Sequence, residues 1–120
     1  DEDALIGRGV WANIDRAIHV YDKVVVVCSR DSLQRVSFLR EIERALQKED
    51  RLRSQGAADP DVLFPVRLDG YVLKGWEHSR KADVVAKHIG DFRDPARYEE
   101  ELDRLVEALM PRSWPLPKPR

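Results

Sequence analysis

Residues 24–28, VVVVC, constrain this chain more than any other stretch. Four consecutive valines are stiff in a helix and pack well on a pleated surface, so Lys23 to Cys28 reads as a strand. The run does not alternate with polar residues. A strand apolar on both faces must be covered on both, the pattern of a parallel sheet between layers of helices. A second run of this kind, VLFPVRL at 62–68, follows one helix later. Its Pro65 cannot donate to a ladder, which predicts a position near a strand end or a bulge. The two runs are expected to lie side by side and parallel.

Helical periodicity supplies the layers. Leu39, Ile42, Ala45 and Leu46 share one face of a helix expected to run to about Arg51, with Ser29, Asp31 and Ser32 offering caps at its start. Val10, Ile14, Ala17 and Ile18 predict an earlier helix over about 10–19, after a loop from Asp1 to Gly9 in which Gly7 and Gly9 bracket Arg8. Past the second strand come a loop rich in Gly, Trp and charge (Asp69 to Ala82), a short strand around Val84 to Ile89, and a closing helix from about Pro95 to Met110. Tyr98, Leu102, Leu105, Val106 and Leu109 form the stripe of that helix. The tail PRSWPLPKPR holds four prolines in ten residues and reads as extended or disordered. The organisation is one α/β domain over residues 1–111 and a proline-rich tail over 112–120.

Charge and cysteine content exclude several functions. With 21 Lys+Arg against 22 Asp+Glu the net charge is −1, which gives no electrostatic case for nucleic acid or an anionic membrane. Cys28 is the single cysteine, so there is neither a disulfide framework nor a cysteine cluster for zinc, and a reducing, cytoplasmic setting is expected. His19, His78 and His88 lack metal-ligand spacing, and no metal site is expected. No apolar run reaches the length of a spanning helix, and DEDAL at the start lacks the order of a signal peptide. Gly7–Arg8–Gly9 does not match a phosphate-binding fingerprint.

In an open, mostly parallel sheet, ligands bind outside the carboxyl ends of the strands, which directs attention to Cys28 through Ser32. On the helix that follows, Phe38, Leu39, Ile42, Ala45 and Leu46 fall within an arc of about 120° at roughly 100° per residue. Glu41 lies just outside that arc, beside Phe38 and Ala45, where it should be partly desolvated. Glu43 flanks the opposite edge. Two readings stay open on this ground alone: a functional carboxylate, or the boundary carboxylate that any amphipathic helix carries. Ser29 and Ser32 are open in the same way, as ligand donors or as helix caps.

Four segments, in order, carry a resemblance. IDRAIHVYDKVVVVCSRDSL (Ile14 to Leu33), FLREIERAL (Phe38 to Leu46), VLFPVRLDGYV (Val62 to Val72) and HIGDFRD (His88 to Asp94) together resemble the bacterial Toll/interleukin-1 receptor (TIR) domains of defence and signalling proteins. The resemblance covers the chain to about Pro111. It implies a flavodoxin-like open parallel sheet with helices on both faces. The strand, helix and strand that open the family's fold are not found, so it also implies an N-terminally incomplete copy, and a piece not expected to catalyse on its own.

The resemblance implies a function as well: cleavage of NAD⁺ to nicotinamide and ADP-ribose, or a cyclic form of it, in bacterial antiphage defence or signalling, activated by self-association. The family's catalytic glutamate corresponds to Glu41. Ser29, Ser32, Ser37 and Phe38 are the expected substrate-binding neighbours; Ser37 stands where members often carry tryptophan. NAD⁺ is the substrate and no cofactor is implied. The loop bearing Asp3, Gly7, Arg8 and Gly9 is the expected assembly surface. The alternative is a non-catalytic TIR adaptor that docks to other TIR domains.

Overall fold

The computed structural model describes residues 17–110. Four strands form one sheet in the order β1 (Ala17–Val20), β2 (Lys23–Cys28), β3 (Leu63–Arg67) and β4 (Gly90–Asp91). The helices are α1 (Val36–Ser54), α2 (Tyr71–Lys74), α3 (Lys81–Val85) and α4 (Tyr98–Leu109), with single 3₁₀ turns at Ser32–Gln34 and Pro95–Arg97. All six residues of β2 are buried, as a strand covered on both faces requires. β2 and β3 pair in parallel from Val24 opposite Leu63 to Cys28 opposite Arg67, as expected. β3 and β4 are also parallel, through Val66–Gly90 and Arg67–Asp91.

Side chains alternate across the sheet and divide the core into two layers. Val24, Val26, Cys28 and Leu63 face one side, against Phe38, Ile42, Ala45 and Leu46 of α1, Val72 of α2, Trp76, and Val84 of α3. Val25, Val27 and Val66 face the other, against Phe92, Leu109 and the half-buried Tyr98, Leu102 and Leu105 of α4. This is the expected flavodoxin-like α/β arrangement. Val106, assigned to the α4 stripe from spacing, is 43% exposed and lies off the packed face.

Three local expectations are corrected. Ala17–Val20, of which residues 17–19 were expected to end a helix, is a strand paired antiparallel to β2, with Ala17 opposite Val26 and Val20 opposite Lys23. The reason is tertiary: β2 has a backbone edge to satisfy, and a two-residue turn at Tyr21–Asp22 lets Ile18 and Val20 pair with it. Tyr21 takes φ 57°, the left-handed region that such hairpin turns favour. The sheet is therefore mostly, not wholly, parallel. Residues 10–16 of the expected helix lie outside the described residues.

Second, Val84 and Val85 belong to α3 rather than a strand, and the last strand is the pair Gly90–Asp91. Val84 is fully buried in the α1 layer, so an apolar pair that reads as strand from its branching is packed as one helical turn. Third, Pro65 sits in the middle of β3. Val24 N–H donates to Val62 C=O at 2.8 Å and Leu68 N–H to Cys28 C=O at 3.0 Å, so the even-numbered residues of β3 bond to β2. The backbone of Pro65 faces the outer edge, where β4 begins only opposite Val66, and no ladder donor is lost.

Candidate functional site

The carboxyl end of β2 closes on itself before α1 begins. Ser32 is fully buried; its Oγ donates to Val27 C=O at 2.8 Å and accepts from Ser29 N–H at 2.9 Å. In return Ser29 Oγ accepts from Ser32 N–H at 3.1 Å. These reciprocal bonds form a turn that runs into the 3₁₀ segment, and α1 starts afterwards from Arg35, which makes no side-chain cap. The serines thus cap the turn instead of α1, and Asp31 makes no side-chain cap bond. Asp69, just past the end of β3, ties this turn to the next loop: its carboxylate accepts from Arg30 N–H at 3.0 Å and Tyr71 N–H at 2.9 Å.

Cys28 ends β2 with its thiol pushed up to about 12, by burial first and the Asp69 carboxylate second. It is a core thiol and not a nucleophile at neutral pH.

Glu41 stands about 7–8 Å along the axis from the first residue of α1, at roughly 1.5 Å per residue. Its side chain is 29% exposed, partly desolvated as its place on the helical wheel predicts. Oε1 lies 3.3 Å from His19 Nε2 on β1, an ion pair when the imidazole is protonated, and Oε2 lies 3.6 Å from Arg44 Nη1. Neither contact involves Ser29 or Ser32, whose bonds stay within their own turn. Ser37 is exposed near the start of α1, while the adjoining Phe38 turns inward and is 3% exposed in the core. The structure therefore joins Ser29 to Ser32 and sets Glu41 beside β1. Asp3, Gly7, Arg8 and Gly9 lie outside the described residues, as does the 112–120 tail.

Glu43 occupies the opposite edge of the α1 stripe. Arg80 Nε and Nη2 donate to its carboxylate at 3.1 and 3.0 Å, and Arg80 also reaches Asp83 at 2.8 Å. The guanidinium holds the Glu43 carboxyl below its ordinary range and is itself raised in turn. At the carboxyl ends of β3 and β4, Asp91 is held down to about 2, chiefly by its hydrogen bonds from Arg93.

Two buried carboxylates escape a reading of the sequence. Glu49 of α1, 1% exposed, accepts from Val62 and Leu63 N–H at 2.8 Å each and from Lys87 Nζ at 2.7 Å. Glu101 of α4, 3% exposed, accepts from Asp91 N–H at 3.1 Å. The available signal was spacing: Glu49 falls three residues after Leu46, on the apolar stripe, and Glu101 falls three after Tyr98 and four before Leu105. Among the described residues no group of three or more His, Cys, Asp or Glu could hold a metal ion. No helix among them is long and apolar enough to cross a membrane.

A sequence model of the TIR domain matches residues 1–106. The chain belongs to the TIR domain family. The mostly parallel sheet, the buried β2 and the turn running into α1 are the framework of this TIR domain. TIR domains act in signalling and NAD-related chemistry, and they associate with other TIR domains. The family includes NAD⁺ hydrolases. The chain matches no curated protein and no solved structure.

Proposed function

We propose that this TIR domain cleaves the bond between nicotinamide and ribose in NAD⁺, with Glu41 as the carboxylate that stabilises the reacting sugar. The observation that carries the reading is Glu41 itself: at the position the resemblance gives to the family's glutamate, on the edge of a well-packed helix, and 29% exposed. The C1′–N bond breaks with its electron pair passing to nicotinamide, which leaves neutral. Little acid catalysis is needed at the leaving group. The positive charge moves onto the ribose, whose transition state resembles an oxocarbenium ion.

A carboxylate fixed on a rigid helix stabilises that charge without reorganising as the charge develops. Burial of Phe38, Ile42 and Ala45 anchors the helix around Glu41, and the remaining exposure leaves the carboxylate reachable. In the resting domain its nearest charged or polar neighbours among the described residues are His19 Nε2 at 3.3 Å and Arg44 Nη1 at 3.6 Å. Water then adds at C1′ and loses a proton, giving ADP-ribose; capture by an adenine nitrogen gives the cyclic product. Self-association through TIR surfaces is the proposed activating event.

The test is nicotinamide release from NAD⁺ by the intact protein under conditions that drive self-association. Glu41→Gln keeps the side chain's shape and removes its charge, so turnover should fall by about 10²- to 10³-fold while the urea midpoint stays near wild type. Undiminished turnover in Glu41→Gln would sink the catalytic reading. The docking-adaptor reading has one observation in its favour: with Ser37 small and Phe38 buried, this stretch of α1 offers no aromatic ring to stack on nicotinamide. Absence of any NAD⁺ turnover in the assembled wild type would decide for the adaptor.

A further inference from the structure

The two carboxylate oxygens of Glu41 meet partners of different kinds. Oε2 lies 3.6 Å from Arg44 Nη1, on the same helix, and the Arg44 side chain is 68% exposed. A pair made by two long side chains at a solvated helix surface is weak and easily opened. Oε1 lies 3.3 Å from His19 Nε2, which comes from another element, β1.

His19 is firmly mounted. It stands opposite Val24 in the antiparallel ladder, between Ile18 opposite Val25 and Val20 opposite Lys23. Val24 in turn packs in the layer that holds Phe38, Ile42 and Ala45 of α1. Ladder bonds and core contacts therefore set the His19 backbone relative to the helix that carries Glu41. An imidazole has fewer side-chain torsions than an arginine, so less freedom is lost in holding it. The His19 side chain is 65% exposed and fills no place in the core.

We propose that His19 is a positioning residue for Glu41, a role that rests on Glu41 being the carboxylate of NAD⁺ cleavage. The imidazole holds the carboxylate through Oε1. Oε2, from which the exposed Arg44 swings away, is left to face the ribosyl cation.

Orientation is what the chemistry needs. A carboxylate that must turn as the sugar ionises gives up much of the benefit of a fixed one. Arg44 shares its helix with Glu41 and adds no second point of support, whereas His19 brings one from the sheet. With its proton on Nε2, a neutral imidazole donates to Oε1 and leaves the carboxylate charge in place. A neutral donor of similar reach should therefore substitute for it.

The experiment measures kcat and KM for nicotinamide release from NAD⁺ by the intact protein, under the assembly conditions used for Glu41→Gln. His19→Phe keeps a flat ring suited to a strand and removes the donor. It should lower kcat by about 10- to 10²-fold, with KM within about twofold of wild type and the urea midpoint unchanged. His19→Gln, which returns an N–H near the place of Nε2, should recover most of that loss. In a Glu41→Gln background His19→Phe should cost nothing more, because it acts only through the carboxylate. Arg44→Met should lower kcat less than His19→Phe does.

Three results overturn the positioning role while leaving the Glu41 reading intact: Glu41→Gln loses turnover and His19→Phe does not; His19→Gln is as impaired as His19→Phe; or His19→Phe costs the same factor in both backgrounds. A larger loss in Arg44→Met than in His19→Phe overturns it as well. Undiminished turnover in Glu41→Gln, or none in the assembled wild type, overturns role and reading together.

Discussion

Removing the charge of Glu49 should destabilise the domain more than any surface change on α1. The carboxylate accepts four hydrogen bonds, from Val62 and Leu63 N–H, Lys87 Nζ and Arg53 Nη2. In Glu49→Gln the amide oxygen can keep the two backbone donors and Lys87, but the two backbone bonds lose their charge assistance and the Lys87 bond loses its ion-pair attraction, about 0.5–1.5 kcal/mol each. The amide nitrogen then meets Arg53, donor against donor. Lys87 is 16% exposed and can turn toward solvent or Asp61, which limits the loss. The sum is about 2–4 kcal/mol. Glu49→Leu leaves two buried N–H groups and an ammonium without their acceptor, at about 3–5 kcal/mol. Against a total of about 5–15 kcal/mol for a folded domain, either is a large fraction.

The assay is urea unfolding followed by far-UV circular dichroism, where a slope of about 1–3 kcal/mol per M turns the Glu49→Gln loss into a midpoint shift of about 0.7–4 M. A double-mutant cycle with Lys87→Met separates the ion pair from the backbone bonds: the Gln substitution should cost less once Lys87 is gone. A Glu49→Gln midpoint within about 0.3 M of wild type, in the same urea titration, would refute the claim that this carboxylate holds the start of β3.

Two further outcomes follow from the ion pairs and the core. Glu43→Gln should cost about 0.5–1 kcal/mol, since the bidentate Arg80 contact bridges α1 and the start of α3 but the glutamate is 37% exposed and screened by solvent. The same loss in an Arg80→Met background would show that the contact contributes nothing. The Cys28 thiol should resist alkylation in the folded protein at pH 8, a value about one unit below its ordinary pKa, and react on unfolding. Because its folded value is raised from 9.0 to about 12, its contribution to stability is complete below 9.0 and is lost as pH rises toward 12. Urea midpoints of wild type and Cys28→Ala should therefore converge over that range, and parallel curves would contradict the assignment.

Glu41 was legible as a boundary carboxylate because helical spacing alone sets it at the rim of the α1 stripe, and its partial exposure follows from that geometry. Its neighbour on β1 was not. His19 lies on a segment whose local periodicity is helical, and Arg80 likewise reaches Glu43 across 37 residues of sequence. Phe38 falls in the apolar arc of the wheel, while the resemblance made it a ligand neighbour; the packed core keeps it on the side the wheel gives.

The sequence by itself determined the elements whose burial is written in their own periodicity. Four valines with no polar alternation require two covered faces, and the α1 and α4 stripes require a sheet to lie against. Those patterns also carry the segments by which the chain joins the TIR family. Tertiary structure decided what depends on a partner's backbone. Residues 17–20 pair as a strand because the edge of β2 offers hydrogen bonds that their own helical spacing cannot match. Val84 turns as a helix because α1 and the sheet leave it a buried place there. Glu49 and Glu101 stand on apolar stripes because strand N–H groups from distant segments need acceptors at those positions. A side chain's face is a local property of its helix or strand; the donor or acceptor it meets is not, since that comes from residues the chain brings back only on folding.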